Sequence, residues 1–100
     1  MNSGIYVGTE LKYKVTISAS GFDQDADDWN VKIVRGKTSR TFDKSECVHG
    51  ADGWYVCFDT EEFGSGSYAA IVTAFVPDGD FPDGYRTEVK KFDLQPVESV

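Results

Sequence analysis

The strongest constraint in this chain is an alternation that begins at Leu11. Leu11, Tyr13, Val15 and Ile17 are separated one by one by Lys12, Lys14, Thr16 and Ser18. Successive side chains of an extended backbone point to opposite faces, so this period of two makes a strand with one apolar and one polar side. Trp29, Val31 and Ile33 alternate with Asn30 and Lys32 in the same way, until Gly36 ends the run. From Trp54 to Thr60 the pattern returns. Trp54, Val56 and Phe58 share one face, Tyr55, Cys57 and Asp59 the other, after the turn signal Asp52-Gly53. Ile5 to Val7 and Thr38 to Phe42 are shorter β-prone pieces, the second suited to a sheet edge.

Tyr68 to Val76 differs in kind, because both of its faces are apolar. Tyr68, Ala70, Val72, Ala74 and Val76 lie on one, and Ala69, Ile71, Thr73 and Phe75 on the other. Such a strand is central, covered on both sides or bordering an interface. Tyr85 to Leu94 changes phase: Tyr85, Thr87 and Val89 share one parity, Phe92 and Leu94 the other. A β-bulge near Lys90-Lys91 reconciles them; otherwise the two sets face different neighbours. No segment carries a helical stripe. Thr60 to Phe63 is long enough for one helical turn, ended by Gly64 and Gly66. Gln95 to Val100 reads as a frayed tail.

About seven short strands within 100 residues, with turn residues between them, predict one all-β domain spanning residues 1–100. The expected architecture is an immunoglobulin-like antiparallel β-sandwich. A barrel of the oligonucleotide-binding type is the alternative, disfavoured by the acidic balance and the many turns. In immunoglobulin order, Leu11–Ser18 is strand B, Trp29–Arg35 is C, Trp54–Thr60 is E, Tyr68–Val76 is F and Tyr85–Leu94 is G. Trp29 is then the core tryptophan of strand C, and Tyr68, after Gly64-Ser65-Gly66-Ser67, is a corner tyrosine. The usual inter-sheet disulfide is absent, with Val15 and Ala70 standing where its cysteines belong.

A formal net charge of −7 repels nucleic-acid phosphates and anionic membrane surfaces, so neither is expected as a partner. No stretch is apolar enough to span a bilayer, and Met1-Asn2-Ser3-Gly4 opens nothing like a signal peptide. The expected location is the cytoplasm by default. Cys47 and Cys57 flank a hairpin. If its loop is Ala51-Asp52-Gly53, then Gly50 pairs with Trp54 and Cys47 falls opposite Cys57, close enough for a disulfide that a reducing cytoplasm leaves open. A loop one residue shorter or longer separates the sulfurs.

Two acidic loops are the candidate for binding chemistry. Asp23, Asp25, Asp27 and Asp28 precede strand C, and Asp78, Asp80 and Asp83 lie between strands F and G. In an immunoglobulin sandwich these loops emerge at one end. Asp23, Asp25, Asp27, Asp78 and Asp80 are the candidate metal ligands, for a hard cation such as calcium. The spacing Asp23-x-Asp25-x-Asp27 starts like an EF-hand loop and then departs from it, with Asp28 where glycine belongs and Val34 where glutamate belongs. The simpler reading is that Asp, Gly and Pro form turns here. No cofactor is implied. His49, the one histidine, sits beside the Gly50-Ala51-Asp52-Gly53 turn without a nucleophile motif, so an enzyme is not expected.

The chain is also similar to small proteins encoded in Bacteroidetes genomes and their prophages. The similarity rests on Gly8-Thr9-Glu10-Leu11-Lys12-Tyr13, on Asp28-Trp29-Asn30-Val31, and on Val76-Pro77-Asp78-Gly79-Asp80-Phe81-Pro82-Asp83-Gly84-Tyr85-Arg86-Thr87-Glu88. It implies an immunoglobulin-like module in a phage particle, such as a tail or baseplate. Two functions follow. The first is a non-catalytic structural or protein-interaction module whose partners are other protein subunits, a second copy among them. The second is a module that binds carbohydrate or calcium through the acidic loops.

Overall fold

A computed structural model describes residues 4–99. Seven strands run in the order β1 (Glu10–Val15), β2 (Trp29–Arg35), β3 (Thr38–Asp43), β4 (Val48–Gly50), β5 (Gly53–Asp59), β6 (Tyr68–Pro77) and β7 (Tyr85–Asp93). Short 3-10 turns fill Lys44–Glu46 and Thr60–Glu62. One sheet has the order β1-β5-β4 and the other β3-β2-β6-β7, and every strand pairing is antiparallel. In immunoglobulin terms these are B-E-D and C′-C-F-G, so the sandwich and its strand order agree with the sequence reading. The membership differs in one respect. Ile5–Val7 contributes only an isolated bridge, Tyr6 to Glu98, and Val48–Gly50 supplies the seventh strand instead.

The inner faces close on one another as the alternation requires. Trp29, Val31 and Ile33 meet Val56, Phe58, Tyr68, Ala70 and Val72 in one buried cluster. Trp29 is 1% exposed, and its only polar side-chain atom is satisfied by donating to the Gln24 carbonyl at 3.0 Å. Tyr68 is the expected corner residue: its hydroxyl reaches back to the carbonyls of Gly64, at 2.5 Å, and Thr60. Among the described residues no buried side-chain nitrogen or oxygen lacks a partner.

Four expectations require correction. The first strand ends at Val15 rather than Ser18, because the Gln24 amide takes the chain out of the sheet. It donates to the Val15 carbonyl at 2.7 Å and accepts from Ile17 N at 3.1 Å. The last strand has no bulge. Its register runs unbroken from Ala69 opposite Asp93 to Pro77 opposite Tyr85. Phe92 therefore lies on the inner side and Tyr85, Thr87 and Val89 on the outer, which is the different-neighbour alternative. Nor is the tail frayed through residue 99. Val97 is 2% exposed and exchanges two backbone bonds with Gly66, while Glu98 bonds to Ile5 and Val7. An apolar residue near the terminus found a place in the core. Val100 lies outside the described residues.

The hairpin register is the fourth. Gly50 pairs with Gly53, His49 with Trp54 and Val48 with Tyr55, so the loop is the two residues Ala51-Asp52. Neither loop residue takes a positive φ; Gly53 does, at 146°. That backbone conformation, rarely adopted by residues with a Cβ, is what calls for glycine at this entry to β5, where the flexible end of Lys14 also packs. The one-residue change puts Cys47 out of register with Cys57. Both thiols are free, Cys47 half-buried and Cys57 exposed. His49 is exposed as expected, but it belongs to β4 rather than to the loop.

Candidate functional site

The two acidic loops do share one end of the sandwich. A shallow hollow between them is lined by Asp27 and Asp28 from one, Gly84 from the other, and Phe75, Pro77 and Tyr85 beside them. Within this pole five of the seven loop carboxylates have a local employment. Asp23 Oδ1 accepts from Asp25 N at 3.0 Å, and Asp27 Oδ2 accepts from Asp23 N at 2.8 Å. Asp28 Oδ1 accepts from Trp29 N. Asp78 Oδ1 accepts from Asp80 N at 3.0 Å, which is the turn-forming use of aspartate. Asp80 and Asp83 make no side-chain bond among the described residues. No three His, Cys, Asp or Glu side chains among the described residues gather where they could hold a metal ion.

Internal cations offset the repulsion. Lys44 Nζ, at the start of a 3-10 turn, donates to the carbonyls of Asp25 at 2.6 Å and Asp27 at 2.9 Å. Arg86 on β7 pairs with Asp78 at 3.0 Å and with Glu88 at 3.1 Å, and donates to the Ser20 carbonyl. The Asp80 amide and the Arg86 guanidinium together hold the Asp78 carboxyl below its ordinary value. Asp25 is tied into an aromatic group: its Oδ1 accepts from Trp54 Nε1 at 2.8 Å and lies 3.3 Å from His49 Nε2. His49 stacks flat on Trp54, with ring centres 4.1 Å apart, and Trp29 meets the same indole at a near right angle. Lys44 Nζ sits 5.3 Å over it. The half-buried indole is thus occupied by the protein's own groups.

Lys44, Arg86, Gln24 and Trp54 are the residues that sequence reasoning missed at this pole. No local signal marks them, because each acts on backbone or carboxylate groups outside its own strand or turn, as Lys44 does on Asp25 and Asp27 and Arg86 on Ser20. The thiol of Cys47 lies nearby, beside a hollow that Trp29 and Trp54 also line. Burial, with the Glu46 carboxylate adding to it, pushes its pKa up to about 11, so little of it is the reactive thiolate near neutral pH.

Two further surfaces are built by the strands. The outer face of the larger sheet carries Val34, Ala69, Ile71 and Phe75, all half-buried, with Tyr85 and Val89 at its margin, 40% and 60% exposed. Phe75 packs edge-on against Tyr85 at 5.3 Å. The second surface is the seam between β1 and β7, edge strands of different sheets. There a cavity of about 270 Å³ opens among Val15, Val31, Val56, Ala70, Phe92 and Leu94. Val15 and Ala70, at the positions of the missing disulfide, both line it.

In comparisons with known proteins, no family model, no curated sequence and no solved structure matched the chain. Among the described residues no helix is long and apolar enough to cross a membrane.

Proposed function

We propose that this domain is a non-catalytic protein-interaction module that docks other protein subunits on the outer face of its four-stranded sheet. The observation that carries the reading is β6. Its inner residues are buried, yet on the other face Ile71 has only its sheet neighbours for cover, and Phe75 is shielded at one end by Tyr85 and the Asp27-Asp28 loop. Ile71 lies in a row between Lys32 and Lys91, and Thr73 between Asn30 and Val89. An apolar strip with a charged and polar border is the composition of a protein contact surface. With the similarity to prophage-encoded proteins, it supports a role as a structural subunit of a phage particle.

The test is reconstitution. The proteins encoded beside this gene are purified and titrated against the wild-type domain and against Ile71→Asp. A neighbour that binds the wild type and loses affinity by about tenfold or more for Ile71→Asp, the cost of a charge in an apolar contact, supports the reading. Equal binding by both proteins, or no binding to any neighbour, defeats it.

A further inference from the structure

The edge strand β7 has an unusual combination of features. Its free side makes no pairing, and it exposes apolar side chains on both faces: Val89 at 60% on the outer, Phe92 at 46% on the inner. The direction of its backbone groups follows from its two ends. Gly84 O accepts from Asp78 N, and Leu94 N donates to Tyr68 O. In an antiparallel ladder such pairs recur at every second residue, so even-numbered residues of β7 bond to β6. Thr87, Val89 and Lys91 therefore aim their N–H and C=O groups away from the sheet. No described residue bonds to them there.

The sequence of this edge is self-complementary about Val89. Placed antiparallel against itself with Val89 opposite Val89, the strand sets Glu88 against Lys90, Thr87 against Lys91, Arg86 against Phe92 and Tyr85 against Asp93. No like charges meet. The outward-facing odd residues fall opposite one another, as hydrogen-bonded pairs require, and the Glu88–Lys90 pairs occupy the closer, non-hydrogen-bonded positions. Sliding the register by two residues one way puts Glu88 against Glu88. Sliding it two residues the other way puts Lys90 against Lys90. Charges that guard an edge against indiscriminate pairing here leave one register open.

We propose that β7 pairs with β7 of a second copy of this chain in that register, joining two four-stranded sheets into one continuous sheet across a two-fold axis. This deepens the interaction reading by naming a partner, but it uses the sheet edge rather than the apolar face. The arrangement continues the outer faces of both copies into one surface, with the two Val89 side chains at its centre.

Sedimentation of the full chain across a concentration series tests the proposal, using variants that leave the intramolecular ladder intact. The wild type is expected to dimerise. Lys90→Glu and Glu88→Lys, each alone, turn both central pairs into like-charge pairs and weaken the dimer by about tenfold or more. Mixing these two variants restores a heterodimer, because each supplies the charge the other lacks. Val89→Pro removes an N–H that only the second copy uses, and an edge strand tolerates it, so it yields a folded monomer. A wild type that stays monomeric overturns the proposal. So does a dimer unaffected by Lys90→Glu and Val89→Pro. A dimer broken by Ile71→Asp but not by these changes places association on the outer face, so the interaction reading survives and this register does not.

Discussion

The two poles of the sandwich solve the same problem with opposite materials. At the acidic pole, loop backbone is held by exposed or half-exposed groups: Lys44 on two carbonyls, Arg86 on Asp78 and Ser20, Asp25 under Trp54 and His49. At the other pole it is held chiefly by buried neutral groups, beside one half-buried cation, Arg35, which donates to the Phe63 carbonyl at 2.6 Å. Thr60, with no exposed surface, accepts from Gly8 N and donates to Thr9 O, and Tyr68 closes the corner beneath Phe63. Buried hydrogen bonds are costly to break and indifferent to salt; exposed ionic ones are cheap to break and sensitive to solution conditions. One pole is therefore the rigid end of the domain, and the other is where its surface chemistry can vary.

The contrast between the poles is tested most severely at Trp29, which roofs the acidic pole but belongs to the core. Trp29→Ala is expected to lose about 3–5 kcal/mol in denaturant unfolding, the usual range for emptying such a site. A loss below about 1 kcal/mol would mean that this pole is not anchored in the core at all. At the rigid pole, Tyr68→Phe keeps the ring and leaves the Gly64 carbonyl without its donor. The expected loss is about 1–3 kcal/mol, with little change between low and high salt. A strongly salt-dependent loss would remove the distinction between the poles.

Smaller effects belong to the charged end. Asp78 has a depressed folded pKa, so its contribution is present above the unfolded value of about 4 and disappears as pH falls through the lower folded value. Thermal unfolding followed through that acid range should therefore show a steeper decline for the wild type than for Asp78→Asn. Parallel curves would show that Arg86 and the Asp80 amide do not favour the carboxylate. The smallest effect concerns cations. Calcium, magnesium and sodium at matched ionic strength should raise the melting temperature equally, since Asp23, Asp25, Asp27, Asp28 and Asp78 serve backbone amides, Trp54 and Arg86. A calcium-specific rise abolished by Asp25→Asn with Asp80→Asn would return the acidic loops to the role of a binding site.

What was legible in the sequence follows from how locally each feature is determined. Trp29 and Tyr68 could be placed because alternation and a preceding turn are written in adjacent residues. The shared end of the two acidic loops followed from strand order alone. The partners of those loops could not be read, because Lys44 and Arg86 act through long flexible stems on carbonyls of other segments. The phase of β7 misled because an edge strand has no burial to define its inner face, and both parities carry apolar residues. The hairpin misled over a single residue, since Ala51, Asp52 and Gly53 are compatible with either loop length until Lys14 is seen packed against Gly53.

That single residue has a practical consequence for the two thiols. Cys57 shares the outward parity of Tyr55 and Asp59, whereas Cys47 is half-buried with a raised pKa. A thiol-reactive dye added to the native protein should attach to Cys57 within the mixing time of an ordinary labelling reaction. It should reach half-buried Cys47 more slowly, and most readily when the three-residue strand β4 lifts away from β5. The ratio of the two labelling rates then reads out the opening of one strand while the rest of the domain stays folded, so the chain carries its own probe of local breathing.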